Sequence, residues 1–201
     1  MKITKIETTP YGVPVKGFAD AYTSFNRSDA ILVRIYTDEG HIGIGEACAW
    51  EPEFYGETRE SIESTILNYA APKIIGEDPF DIGRIMMILD QNLARITCVK
   101  EGIDLALHDL LGKILNIPVY KLLGGKFRNK IHVGSEIGIN TPQAMADNAL
   151  EVLKQGINVI KIKGSNEMNL DIERIKTVRA AVGDDVQLRL DPNAAWDTIG
   201  A

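Results

Sequence analysis

Ile157-Asn158-Val159-Ile160-Lys161-Ile162-Lys163 and Val186-Gln187-Leu188-Arg189-Leu190-Asp191 are the two stretches whose reading decides the fold. Successive side chains of a β-strand point to opposite faces, so alternate residues share one. Lys161 and Lys163 then lie on one face of the first stretch, opposite Ile160 and Ile162. In the second, Gln187, Arg189 and Asp191 oppose Val186, Leu188 and Leu190. Between the two, Leu170, Ile172, Ile175, Val178 and Val182 recur at helical spacing, and Gly183 stops the pattern. Strand, helix and strand on short connections predict a parallel βαβ unit. Parallel strands are normally apolar on both faces because helices cover both. Here one face of two successive strands is polar; in a barrel that face is the interior, and its C-terminal rim is where active sites form.

The same pattern begins earlier. Ile131–Ile137 reads as a strand, and Thr141-Pro142 as an N-cap with proline at the first helical position. The helix so begun ends at Gly156. Residues 126–201 therefore read as successive parallel βα units, with Lys126–Lys130 at the boundary. A closed (β/α)8 barrel needs about 250 residues, and only 71 follow Lys130. The sheet is then either open or the front part of a longer protein.

Residues 1–125 read as α+β. Ile3 and its alternating neighbours, Ala30–Tyr36 and Ile42–Ala47 predict three antiparallel strands, the last two joined by the turn residues Asp38-Glu39-Gly40. Gly12–Asp29 reads as a long connection without structure, of a length usually tied to function or mobility. Ile62, Ile66, Leu67, Tyr69 and Ala70 predict one helix face, ended by Pro72. Asp78-Pro79 predicts the next helix start, with Ile82, Ile85, Met86, Leu89 and Leu93 as its apolar face. Ile103–Gly112 is apolar around most of its circumference and reads as a buried helix.

Composition narrows the function classes. The chain has 201 residues, 45% of them hydrophobic and 25% charged, with a formal charge of −6. These are globular values, and the acidic balance argues against a nucleic-acid or anionic-membrane partner. No apolar run reaches the length of a membrane span, and the N-terminus lacks a signal-peptide core. Cys48 and Cys98, far apart, fit a reducing cytoplasm better than a disulfide or zinc framework. Gly43-Ile44-Gly45 lacks the third glycine and following helix of a dinucleotide loop, and reads as structural. No phosphate loop, His-Glu-x-x-His or Gly-x-Ser-x-Gly element is present.

Chemistry concentrates on the polar face of the two strands. Lys163 and Asp191 both end a strand, 28 residues apart, about one βα unit. Two lysines at i and i+2 in a dry interior oppose each other's charge, and burial opposes both, so at least one pKa is expected to fall toward that of a general base. Asp191 can pair with the lysines or hold a cation, and Asn193 can assist either arrangement. The plainer alternatives are a solvated lysine edge and an aspartate that caps a following helix. Phe18, Tyr22 and Phe25, then Trp50, Phe54 and Tyr55, form two aromatic stretches, read as packing or as a lid over a small-molecule pocket.

Five stretches in order, Gly43–Ala47, Ile103–Lys113, Pro118–Gly125, Lys161-Ile162-Lys163 and Leu190-Asp191-Pro192-Asn193, resemble the enolase superfamily in its muconate-lactonizing-enzyme-like subgroup. The resemblance implies an α+β capping domain over residues 1–125 and the start of a (β/α)7β TIM-like barrel over 126–201. It implies that Lys163 is the base on one face of the substrate and that Lys161 lowers its pKa and helps hold the substrate carboxylate. Asp191 would be the first of three carboxylates on a Mg²⁺ ion, with the other two and an opposite-face lysine on strands beyond Ala201. The two aromatic stretches, with Phe18, Tyr22 and Trp50 as candidate substrate contacts beside Asn193, would be specificity loops. The implied activity is that of a Mg²⁺-dependent cytoplasmic isomerase or lyase that abstracts the proton α to a carboxylate through an enediolate, by racemisation, epimerisation or cycloisomerisation. N-acyl amino acids, dipeptides, proline derivatives or muconates are favoured over sugar acids, and a homo-oligomer is expected. The alternative is a non-catalytic truncated fragment or interaction module that keeps the capping fold. A 201-residue piece alone is expected to be inactive.

Overall fold

The structure is a computed structural model that describes residues 1–49 and 55–198. Three strands open it: β1 (Ile3–Ala19), β2 (Ser24–Thr37) and β3 (Ile42–Cys48), in the sheet order β1-β2-β3. Helices follow as α1 (Arg59–Thr65), a π-helical turn (Ile66–Ala70), α2 (Ala71–Ile74), α3 (Ile82–Asn92), α4 (Thr97–Leu115) and the short α5 (Val119–Leu122). A second sheet, order β4-β5-β6, is built from β4 (Ser135–Ile137), β5 (Val159–Lys163) and β6 (Gln187–Asp191), all parallel. Helices α6 (Pro142–Lys154) and α7 (Met168–Val182) form the crossovers. The expected α+β part followed by the first units of a barrel is what the chain adopts.

Contacts group the chain into two compact units. One holds Met1–Pro14 and Arg27–Asn129; the other holds Val15–Asn26 and Lys130–Ala201. The hairpin of β1 and β2 belongs to both, its stem to the first and its tip to the second. No helix among the described residues is long and apolar enough to cross a membrane.

In the first unit, β2 turns Ile31, Val33 and Ile35 into the core, every second residue as the pleat requires. β3 does the reverse of what an apolar strand suggests. It turns Gly43, Gly45 and Ala47 inward and leaves Ile42 and Ile44 exposed. The reason is α4, which lies directly on those glycines: a Cβ on Gly43 or Gly45 would collide with the carbonyl oxygens of Ala106 and Gly102. Small residues on both partners let helix and sheet approach closely. The helix also occupies the backbone groups of the sheet's outer strand. The Asp109 carboxylate accepts from the Ile44 amide (2.7 Å), and Lys113 Nζ donates to the Ile42 carbonyl (3.0 Å). Gly43-Ile44-Gly45 is therefore structural, as its sequence context indicates.

Four expectations are corrected here. Gly12–Asp29 is not a structureless connection: β1 and β2 run through it and leave only the Asp20–Thr23 turn, closed by the Asp20 amide on the Thr23 carbonyl (3.0 Å). Pro72 does not end its helix, because the π turn just before it rearranges the hydrogen-bond ladder that the proline nitrogen cannot join. Ile62, Ile66 and Ala70 face the core as expected, whereas Leu67 and Tyr69 face outward. Asp78-Pro79 forms a turn in which Asp78 Oδ1 accepts the Phe80 amide, and the helix begins three residues later.

In the second unit, Ile137, Ile160 and Ile162 pack against Met145 and Ala149 of α6 and Val178 of α7. Thr141 caps α6 through its hydroxyl, which accepts from the Ala144 amide (3.3 Å). The strand read over Ile131–Ile137 is shorter than expected, since only Ser135–Ile137 pairs. The hairpin tip seats on the end of β4, where the Ile139 amide donates to the Ala19 carbonyl (2.8 Å). A Cβ on Gly138 would lie 3.0 Å from the Ala19 amide nitrogen.

Candidate active site

The parallel register brings the polar face together in rows. Glu136, Lys161 and Arg189 are cross-strand partners, and Lys163 pairs with Asp191 one step nearer the C-terminal ends. Lys163 is buried at 4% exposure, whereas the Lys161 side chain keeps 35%. Both Nζ atoms converge on one oxygen: Asp191 Oδ2 lies 2.9 Å from Lys161 Nζ and 3.0 Å from Lys163 Nζ. Asn193 Oδ1 accepts a second bond from Lys163 (3.2 Å). The other oxygen of Asp191 accepts the Asn193 amide (3.0 Å). Asn193 and Ala194 both adopt left-handed backbone (φ 49° and 60°), which turns the chain back so that the Asn193 side chain reaches Lys163. Asp191 therefore organises this turn and caps no helix among the described residues.

Charge in the cluster departs from the expected pattern at Lys161. Its pKa is raised well above the ordinary lysine value, first by the hydrogen bond to Glu136 (2.7 Å) and then by Asp191, which together outweigh burial. The expected fall in a lysine pKa therefore does not occur at Lys161. Burial pulls the Asp191 carboxyl upward, but bonds from Lys161, Lys163 and the Asn193 amide overcome it and hold the group well below the usual carboxylate range. Glu136 was not among the residues singled out in the sequence. Its signal is parity, because it occupies the polar side of β4 between the partly buried Ser135 and the buried Ile137.

The structure gathers Lys161, Lys163, Asp191 and Asn193. Phe18 lies elsewhere in the same unit, on the hairpin, where its ring packs against Phe25 (5.3 Å between centroids). These two rings, with Asn26, Ile139 and Asn140, line a groove of about 420 Å³. Tyr22 stands on the hairpin turn, 55% exposed. Trp50 and Phe54 fall outside the described residues.

Asp191 offers hard oxygen donors in a setting that already attracts positive charge, which suits a cation of the Mg²⁺ type. Among the described residues no three His, Cys, Asp or Glu side chains are placed to share a metal ion. Asp191 could serve as one ligand of such a site.

Comparison with known proteins finds relatives for both parts of the chain. Residues 3–124 match the model of the mandelate racemase / muconate lactonizing enzyme N-terminal domain, and residues 144–201 match the enolase C-terminal domain-like model. The chain is 34% identical over 197 residues to the N-succinyl-L-Arg/Lys racemase of Bacillus cereus, covering 98% of this chain and 53% of that one. It is 38% identical over 185 residues to the L-Ala-D/L-Glu epimerase of Clostridium acetobutylicum, covering 92% and 51%. The crystal structure of the dipeptide epimerase from Enterococcus faecalis, complexed with Mg and the dipeptide L-Leu-L-Tyr, superposes with a TM-score of 0.94 at 35% identity. That match covers 100% of this chain and 56% of the other. The chain thus spans about half the length of the relatives it matches.

Proposed function

This chain belongs to the mandelate racemase and muconate lactonizing enzyme family, and from that premise we propose that the whole protein is a racemase or epimerase of a small carboxylate substrate. The observation that carries the reading is Lys163: an amine buried at the end of a barrel strand, held against Asp191 and Asn193 and flanked by a second lysine. A proton next to a carboxylate is hard to remove because the product enediolate concentrates negative charge. Lys163 would take that proton on one face. Lys161, set between Glu136 and Asp191, is the fixed cation that meets the substrate carboxylate. Mg²⁺, bound in part by Asp191, would supply electrostatic stabilisation of the enediolate. The pairing of a Lys base with Mg²⁺ in enolase-superfamily sites is a general pattern. Reprotonation from the opposite face inverts the carbon.

The racemase and epimerase relatives support a substrate class of N-acylated amino acids and dipeptides, in which the acidified carbon carries both a carboxylate and an acylated nitrogen. The experiment is α-proton exchange in D₂O followed by NMR, with the full-length protein and Mg²⁺. The panel is N-succinyl-L-arginine, N-succinyl-L-lysine, L-Ala-L-Glu and L-Leu-L-Tyr. Exchange on at least one member, abolished by Lys163→Ala with the fold retained, is the expected result. No exchange on any member would favour a non-catalytic role and overturn the reading.

A further inference from the structure

Helix α7 buries two charged residues where its apolar stripe would place aliphatic ones. Asp171 and Arg174, one turn apart, keep 1% and 7% of their side chains exposed and pair at 2.8 Å. Burying an ion pair carries a desolvation penalty that well-packed aliphatic side chains would avoid, so such a pair is a poor device for stability alone. Its other bonds show what it connects. Arg174 Nε donates to the Asn140 carbonyl beyond β4 (2.8 Å), and Nη1 donates to Ser165 Oγ beyond β5 (3.1 Å). Asp171 accepts from both the amide (2.6 Å) and the hydroxyl (3.0 Å) of Ser165. Trp196, beyond β6, donates its indole N–H to the Ser165 carbonyl (2.9 Å) and to Asp171 Oδ2 (3.3 Å). The segments leaving three successive strands are thus fastened to one turn of one helix.

Two of those strands end in the reactive pair. Lys163 lies two residues before Ser165, and Asp191 five before Trp196. Gly164 joins them directly: its amide donates to the Asp191 carbonyl (2.9 Å). A Cβ on Gly164 would stand 3.2 Å from Pro192 Cα and 3.3 Å from Asp171 Oδ2, tighter than ordinary contact. We infer that Asp171, Arg174, Ser165 and Trp196 form a positioning clamp that sets the Lys163 amine relative to the Asp191 carboxylate. None of the four is placed at the reacting atoms in this reading. The inference rests on the reading of Lys163 as the base on one substrate face.

Trp196→Phe tests it in the full-length protein with Mg²⁺, because it keeps an aromatic ring at the position and removes the indole donor along with the second ring. On the best substrate of the panel, exchange of the stereoisomer whose proton Lys163 removes should fall about tenfold, since small misplacements of a catalytic group are costly. Exchange of the substrate inverted at that one carbon, whose proton leaves from the opposite face, should fall less than about twofold, with KM for both nearly unchanged. Equal loss for both stereoisomers, or no loss, overturns the clamp. Amide hydrogen exchange needs no substrate and covers the case in which the wild type turns none over. Trp196→Phe should speed exchange about fivefold or more in peptides spanning 160–166 and 190–198 and leave α6 unchanged; uniform acceleration or none overturns the inference. Should Trp196→Phe not fold, Ser165→Ala is read by the same two measurements. Absence of wild-type exchange would count against the proposed function, and the amide measurement would still decide the clamp.

Discussion

Lys161 and Lys163 sit two residues apart on one face, yet one is buried and the other a third exposed, and their partners differ accordingly. Lys163 is held by Asp191 and Asn193; Lys161 is shared by Asp191 and Glu136. Glu136→Gln would weaken the hold on Lys161 and leave Lys163 in place. In the full-length protein it should raise KM about fivefold or more with a smaller change in kcat, as expected for a group that receives the substrate rather than takes the proton. Equal effects on both constants would assign Lys161 a different part. Cys98 makes a separate residue-scale prediction. Burial, reinforced by Glu57, pushes its thiol up to about 12, against an ordinary value of about 8.5. The native state therefore keeps a proton that the unfolded chain releases. Its contribution to stability is complete below about pH 8.5 and declines as the pH rises toward 12. The urea midpoint should fall across that window, and Cys98→Ala should flatten the fall.

The elements show which features can be read from a sequence and which cannot. Gly43 and Gly45 are fixed by the backbone of α4 lying on them, so Gly45→Ala must push helix from sheet. A loss of about 3 kcal/mol in urea unfolding is expected, in the range of severe overpacking; a loss below about 0.5 kcal/mol would mean that the helix can move away freely. The faces of β5 and β6 were legible because five-residue strands hold enough alternations to tell one side from the other. Glu136 follows the same alternation in Ile131–Ile137, but only Ser135–Ile137 of that stretch pairs as a strand. The clamp escaped for a different reason. A search for apolar periodicity places charged residues outside, so Ile172 stood in for the buried stripe although it is exposed, while Asp171 and Arg174 are buried. Yet 171, 174, 178 and 182 fall on one helical stripe, and a charged pair at those positions is itself the signal. The continuation past Pro72 depends on a π turn that no residue spacing announces.

For the whole molecule, the second sheet leaves β4 and β6 each with one unpaired side among the described residues. Ile131 and Val133 stand 76% and 62% exposed just before β4. Such edges and apolar faces invite association. A polypeptide of residues 1–201 produced on its own should therefore self-associate in light scattering and show no α-proton exchange on the substrate panel. A monodisperse, active 201-residue polypeptide would show that one carboxylate and three barrel strands suffice.

The hairpin sets a rule for anyone who recombines this family. Its tip, residues 15–26, lies far upstream in the chain but rests on Gly138 and Ile139. A chimera spliced near residue 126 would take the tip from one parent and its seat from the other. A graft of the tip alone, with 138–139 kept compatible, would transfer the segment and its footing together, so the natural unit of exchange here is two short non-adjacent stretches of sequence.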